Sequence, residues 1–358
     1  MAGPASFLTM RLILAHLAQI LIAGLGGLLF YWLGVPAAWL SGAAIAATLW
    51  GLSGFAVPMP RALADAAMLV SGAAMGAAVT PAAIAAMGRY PGSLLLLVVG
   101  VLAISLASTL WLTRISGWRK ADAVLASVPG ALSTVLAVAA ERKADVPSVA
   151  IVQNLRLFVL IALLPSAVVA TGGGAHTGAL IGQGLPVESP GDMALVLLGG
   201  LALGFVFKQL NVAAPILLGA TVVSSVSHGA ELVTGVIPPV IATGGLVLIG
   251  LFIAERFRNI QRSTLRHALV AALGSFTVGM GVAVVFAALA AWLAGVSFAN
   301  SLVAFAPGGL EAMTVLALIL GLDPLYVGIH HLVRFLGIGL VLPFLIGWLQ
   351  RGKPADAE

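Results

Sequence analysis

SVPGALS at residues 127–133 and FAPGGLE at 305–311 are two copies of one segment, and each heads the same ladder of residues. Pro129, Asp145, Arg156 and Pro165 stand 16, 11 and 9 residues apart, and so do Pro307, Asp323, Arg334 and Pro343. LRLF at 155–158 answers VRFL at 333–336, which puts an arginine at the same place in each copy. The chain therefore carries an internal duplication. Proline removes a backbone donor and glycine loosens a helix, so each Pro-Gly segment predicts a break in an otherwise apolar helix. Inside a bilayer such backbone is tolerated only where it is buried in protein or lines a wet cavity.

The rest of the sequence supplies that bilayer. The chain has 358 residues, of which 61% are hydrophobic and 8% charged, and its mean hydropathy is +1.14. Apolar runs of roughly 17–25 residues, each enough to cross a hydrocarbon core of about 30 Å as a helix, recur from residue 11 to residue 348. They read as 11–33, 36–54, 62–79, 91–114, 120–140 and 147–169, then 192–208, 213–233, 236–255, 267–294, 298–320 and 324–348. These runs are too long for barrel strands, so the expected fold is an all-α polytopic membrane protein. A net charge of +5 would suggest nucleic acid in a soluble protein. Here the basic residues stand singly or in short groups at the ends of apolar runs, which is topology and not a nucleic-acid patch. There is no cysteine, which excludes disulfides, thiolate metal sites and thiol catalysis.

Charge placement then orders the runs. Twelve full crossings would make the two halves parallel and split the basic residues evenly. If 120–140 and 298–320 enter and leave on one face, each half has five crossings and the second half is inverted. Arg11, Arg61, Arg114, Arg119, Lys120, Arg142, Lys143, Lys208, Arg256, Arg258, Arg262, Arg266, Arg351 and Lys353 then share one side, and only Arg89 falls on the other. The positive-inside rule makes the richer side cytoplasmic, with both termini inside. The expected organisation is an N-terminal tail over 1–10, a membrane repeat over 11–170, an extracytoplasmic linker over 171–191, a second membrane repeat over 192–350 and a cytoplasmic tail over 351–358. Inverted repeats with broken or re-entrant helices are the build of many secondary transporters, whose sites lie at mid-membrane.

Asp145 and Asp323 precede the last helix of each half and are followed by Pro147 and Pro324, an N-cap signature that gives both aspartates a structural role. Eleven residues at about 1.5 Å each place Arg156 and Arg334 about 16 Å along, near the middle of the bilayer. An arginine there costs roughly 2.5–3.5 kcal/mol, so each must face a partner, a cavity or the bundle interior. Two guanidiniums related by the repeat can hold an anion between them, each through two donors. Alternatively, each ties down the carbonyls exposed by its own broken helix, and the two roles coexist. The expected solute-binding set is Arg156, Arg334 and Gln153 with the backbone of Pro129, Gly130, Pro307, Gly308 and Gly309.

The halves differ in polar neighbours. Gln153 shares a helix face with Arg156, whereas His330 and His331 precede Arg334, and Glu311 stands where the first copy has Ser133. Glu311, His330 and His331 form a candidate ion-coupling set, concentrated in the second copy. Adjacent histidines lack metal-ligand spacing, so no metal is expected, and no cofactor-binding motif is present. The Gly72–Gly76 and Gly200–Gly204 pairs permit close helix contact inside one chain at least as readily as in a homo-oligomer.

The PG(A/G)L segments, the AD-V and LR run after the first, the GLDP and R run after the second, and the pair VPAAWLSG at 35–42 and VAAPILLG at 212–219 together resemble the AbrB family of bacterial membrane proteins. That family is distinct from the DNA-binding transition-state regulators sharing its name, and its members carry labels such as ammonia monooxygenase or regulator. The resemblance covers almost the whole chain and implies a duplicated membrane domain in the bacterial inner membrane, with a fold akin to cation–proton antiporters and bile-acid-type symporters. Family members carry an acidic residue just after PGGL in both repeats; here only the second copy has one, Glu311. The leading expectation is a secondary transporter for a small anionic solute, coupled to protons or sodium, and not an enzyme. The alternatives are a non-transporting membrane regulator or scaffold and, disfavoured for want of a ligand cluster, a membrane monooxygenase.

Overall fold

The structure, a computed structural model, describes residues 4–77, 88, 90–130, 132–141, 144–172, 186–212, 214–258, 260 and 262–351. Arg89, Arg142, Lys143, Lys353 and most of the 171–191 linker lie outside the described residues. The described chain is helical: α1 (Pro4–Trp32), α2 (Ala38–Leu52), α3 (Arg61–Ala77), α4 (Tyr90–Leu110, closing in a π-turn over Trp111–Ile115), α5 (Lys120–Ser127), α6 (Leu132–Glu141) and α7 (Val146–Ala170). It continues as α8 (Pro190–Gln209), α9 (Pro215–Gly229), α10 (Pro239–Ala254), α11 (Arg262–Ala294), α12 (Phe298–Phe305), α13 (Leu310–Ile319) and α14 (Pro324–Arg351). Among the described residues six helices are long and apolar enough to cross a membrane, beginning at Met10, Tyr90, Val146, Pro190, Pro239 and Ala268. The protein is thus of the helical membrane type. Helix α1 starts at Pro4, within the stretch expected to be a tail.

The two apolar runs containing proline and glycine do not continue as single helices. The first stops at Ser127 and resumes at Leu132; the second stops at Phe305 and resumes at Leu310. Gly130 has φ +99°, a conformation other residues rarely adopt, which explains its place in the break.

The helices gather into two compact units, each drawing on both halves of the sequence. The first comprises Met1–Gly88, Phe158–Asn259 and Glu311–Leu325; the second comprises Arg89–Leu157, Ile260–Leu310 and Tyr326–Glu358. In the first unit the small residues decide the packing. A Cβ on Gly42 would collide with Gly26, so α1 and α2 touch backbone to backbone, and Gly219 meets Gly204 in the same way between α9 and α8. Gly72 of α3 lies against Leu217 and Ala220 of α9, while Gly250 of α10 lies against Leu40 and Ala43 of α2. The third helix of each half therefore packs on the second helix of the other. Gly76 sits on Thr221 and Ser224, and Gly200 on Ala220, so both glycine pairs are used within the chain. Ahead of α2 and α9, Ala37 (φ 54°) and Ala214 (φ 46°) occupy matched places in the VPAAWLSG and VAAPILLG segments, both left-handed.

The second unit packs α4 along α11, with Gly279 beside Ser108, whose hydroxyl donates to Ser275 O at 3.2 Å. Its apolar core joins Leu112, Leu125, Val135, Val149, Ala272 and Ile338. Both helix breaks belong to this unit, Val128–Gly130 entirely and Ala306–Gly309 up to Leu310.

Candidate functional site

The arginines rise from helices whose starts are fixed by aspartates. Asp145 Oδ1 accepts from Ser148 N at 3.2 Å, and Asp323 Oδ1 accepts from Leu325 N at 2.9 Å. Each carboxylate satisfies a donor that the first helical turn leaves orphaned. Asp145 N is in turn bonded by Asp122 Oδ1 at 3.1 Å, and Arg119 grips the same carboxylate at 2.7 and 3.1 Å. This frame ties α7 to the start of α5. It anchors Arg156 relative to the break that α5 enters.

Eleven residues on, both arginines are buried in the second unit and both turn to the ends of broken helices. Arg334 Nη1 donates to Ala306 O at 2.7 Å, and Nη2 donates to Gly308 O at 2.7 Å and to His331 Nδ1. His331 Nε2 lies 3.0 Å from Val303 O. The guanidinium can only donate, so His331 accepts at Nδ1 and carries its proton on Nε2, the neutral tautomer. The first copy repeats the core of this network 178 positions earlier, with Leu125 answering Val303, Val128 answering Ala306 and Gln153 answering His331. Gln153 replaces His331: its Nε2 donates to Leu125 O at 3.0 Å and Val128 O at 2.8 Å, and its Oε1 accepts from Arg156 Nη2 at 2.5 Å. A histidine and a glutamine thus do one job, bridging a broken helix to an arginine.

The two networks are not equally tight. Arg156 reaches Ser127 O and Val128 O only at 3.4 and 3.5 Å, at the limit of hydrogen bonding. Its Nε has no partner among the described residues, and neither has the buried hydroxyl of Ser127. Two donors in the first copy are therefore open. No carboxylate lies within salt-bridge distance of either arginine among the described residues. Burial of two unneutralised guanidiniums favours an anion here. Beside Arg334 a cavity of about 140 Å³ is lined mostly by apolar side chains, among them Leu97 and Val101 of α4, Val128 of the first break and Ile338 of α14.

The remaining expected residues fall in several places. Pro129, Pro307 and Gly308 are buried in the breaks, with Gly130 and Gly309 partly exposed beside them. His330 points away from Arg334: its Nδ1 lies 2.7 Å from Tyr326 O and its Nε2 2.9 Å from Ser93 Oγ, and its ring packs 4.1 Å from that of Tyr326. Glu311 begins α13 in the first unit, where it lies within electrostatic range of Arg256 of that unit. Among the described residues no group of three or more histidine, cysteine or carboxylate side chains could hold a metal. The sequence reading missed Ser127, because an isolated serine in an apolar helix carries no signal until its neighbours are placed. It also missed Asp122, whose signal was its place in the first turn of α5.

The family model described as Transition state regulatory protein AbrB matches residues 39–350. No curated protein and no solved structure matches the chain.

Proposed function

The chain belongs to the AbrB family, and from that premise we propose that it is a secondary transporter that binds a small anionic solute at the helix breaks of its second unit. One observation carries the reading: two buried arginines share a unit, no carboxylate among the described residues lies within salt-bridge distance of either, and Arg156, which reaches the Ser127 carbonyl, retains an open Nε while the Ser127 hydroxyl is open too. The open Nε–H offers one charged donor to a carboxylate or phosphate, and the Ser127 hydroxyl offers a second.

Each part of the site then has a task. Arg334, whose donors grip Ala306 and Gly308, holds the second break in shape and supplies positive potential. Arg156 contacts the solute through Nε, the donor that Gln153 and the break carbonyls leave open. The breaks give the solute backbone groups without an intervening helix, and helix ends facing a cavity contribute partial charges. In this scheme the two repeats are inverted and hold the broken helices at mid-membrane, where alternating access is achieved by moving one bundle against another around a fixed site. The reciprocal packing of α3 on α9 and α10 on α2 supports such a symmetric pairing. His331 serves as a clamp in this scheme, since both its nitrogens are engaged. Proton or sodium coupling falls instead to Glu311, the acidic residue of the second copy.

Uptake into proteoliposomes tests the reading, with radiolabelled acetate, pyruvate, succinate, inorganic phosphate and uncharged glycerol as probes. Saturable uptake of one anion, lost in Arg156→Ala and reduced in Ser127→Ala, is the expected result. Uptake that is unchanged in Arg156→Ala, or absent for every anion while glycerol enters, would overturn it in favour of another solute class or of a regulatory scaffold.

A further inference from the structure

The first unit holds a second buried polar pair, remote in sequence from the arginines. Glu188 lies just before α8 on a short extended segment, with its side chain fully buried at 0% exposure. Neither of its carboxyl oxygens has a hydrogen-bond partner among the described residues. Its nearest polar neighbour is His228, in the last turn of α9, whose Nε2 lies 3.6 Å from Glu188 Oε1. That same Nε2 lies 3.2 Å from Gly235 O, and Nδ1 lies 2.8 Å from Ser224 O and 3.3 Å from Ser224 Oγ, a hydroxyl that donates its proton to Ala73 O at 2.7 Å.

The backbone explains why the pair is brought together. Glu188 N donates to Val236 O at 3.0 Å and Val236 N donates to Pro186 O at 2.9 Å, a parallel bridge that lays the 186–188 segment along the turn before α10. Gly235 has φ +100°, and a Cβ there would stand 2.8 Å from both Glu188 N and Pro186 O. Only glycine lets the strands approach this closely. The bridge holds Glu188 where its carboxyl approaches the imidazole.

This arrangement is one proton short when the imidazole is neutral and the carboxylate charged. The ring meets acceptors at both nitrogens, and a neutral imidazole can donate from only one. An ionised carboxylate without donors is likewise costly in a buried setting. One added proton relieves both defects, either as imidazolium beside carboxylate or as carboxylic acid beside imidazole. We propose that Glu188 and His228 form a proton-binding site that fastens the 186–188 segment to the 235–236 turn, and that the fastening loosens when the proton is lost. Among the described residues, Asp192 in the first turn of α8 is the further charge acting on this carboxyl. Burial pushes the Glu188 carboxyl above the usual carboxylate range, His228 opposes that push, and Asp192 adds to it. A folded-state pKa raised above the unfolded value contributes stability that is present at low pH and is lost as pH rises through the raised value. The clasp is therefore closed in acid and opens toward alkaline pH.

The absence of cysteine in the chain makes a spin label the direct reporter. Val187, half-exposed on the segment, is changed to cysteine and labelled with a nitroxide in the full-length protein in lipid nanodiscs, and its mobility is followed from pH 5 to pH 9. The expected result is a slow label in acid and a roughly threefold faster one in alkali, as for a loop released from backbone pairing. Glu188→Gln and His228→Gln should each abolish the transition, while a label at Trp292→Cys, on an exposed face of α11, should show none. A Val187 label whose mobility ignores pH overturns the proposal, as does an unchanged transition in both Gln variants. A transition that disappears on chelator treatment and returns with zinc also overturns it, because the pair would then hold a metal and not a proton.

Discussion

The first helix break holds its arginine loosely and the second holds its arginine tightly, although both descend from one duplicated segment. Arg334 sits on two carbonyls at 2.7 Å with a histidine behind it, whereas Arg156 reaches its carbonyls at 3.4 and 3.5 Å and leaves Nε open. Residue types point the other way, since Glu311, His330 and His331 all belong to the second copy. The lesson is that polar content does not locate spare bonding capacity. His331 is spent on Val303 O and Arg334, His330 on Tyr326 O and Ser93, and Glu311 belongs to the other unit. The copy with fewer chemical groups keeps the free donors.

The sharpest way to break this comparison is to truncate each arginine. Arg334→Ala leaves two buried carbonyls and His331 unsatisfied and should destabilise the protein by about 2–4 kcal/mol, read as a large drop in Tm in detergent. Arg156→Ala removes two long bonds and the short one to Gln153 Oε1, so it should cost less, about 1–2 kcal/mol, while lowering anion uptake at least about tenfold. Equal losses of Tm in the two variants would erase the distinction. Next in size is overpacking in the first unit: Gly72→Leu and Gly250→Leu, which intrude on matched contacts, should each cost about 1–3 kcal/mol, and by similar amounts if the two halves pack alike. Exchanging the bridging residues, as Gln153→His with His331→Gln, should cost about 1–2 kcal/mol, since an imidazole can replace the bond to Leu125 O but not the second amide donor that Gln153 gives to Val128 O. Uptake by the exchanged protein should keep its pH profile; a new pH dependence would show that the histidine is more than a clamp. The smallest effect is expected at Ala37→Gly and Ala214→Gly, where relief of the left-handed backbone should stabilise by about 0.5–1 kcal/mol at each site.

Much of this architecture is written locally and so could be read in advance. Asp145 and Asp323 announce helix starts because a cap depends on residues two or three positions away, and the Pro-Gly pairs announce breaks for the same reason. Gln153 lies one turn before Arg156, so helical spacing alone places them together. What the sequence withheld is contact across long separations. Nothing in the string says that Gly72 rests on Leu217, that Glu188 meets His228, or that the hydroxyl of Ser127 ends without a partner beside Arg156. Glycine spacing says that a close approach occurs but not to which helix, which left Gly72–Gly76 and Gly200–Gly204 open between internal and intermolecular use. The positions of Ala37 and Ala214 were equally hidden, because alanine gives no sign of left-handed backbone.

The reciprocal packing in the first unit sets a schedule for synthesis. The face of α3 at Gly72 has its partner only when Leu217 is made, 217 − 72 = 145 residues later. At about 5–20 residues per second, that face waits roughly 7–30 s with no native neighbour. A nascent first half is therefore exposed to wrong pairing, including with the first half of another chain. Two separately expressed halves, cut within the 171–191 linker, should find each other in one membrane for the same reason that neither finishes folding alone.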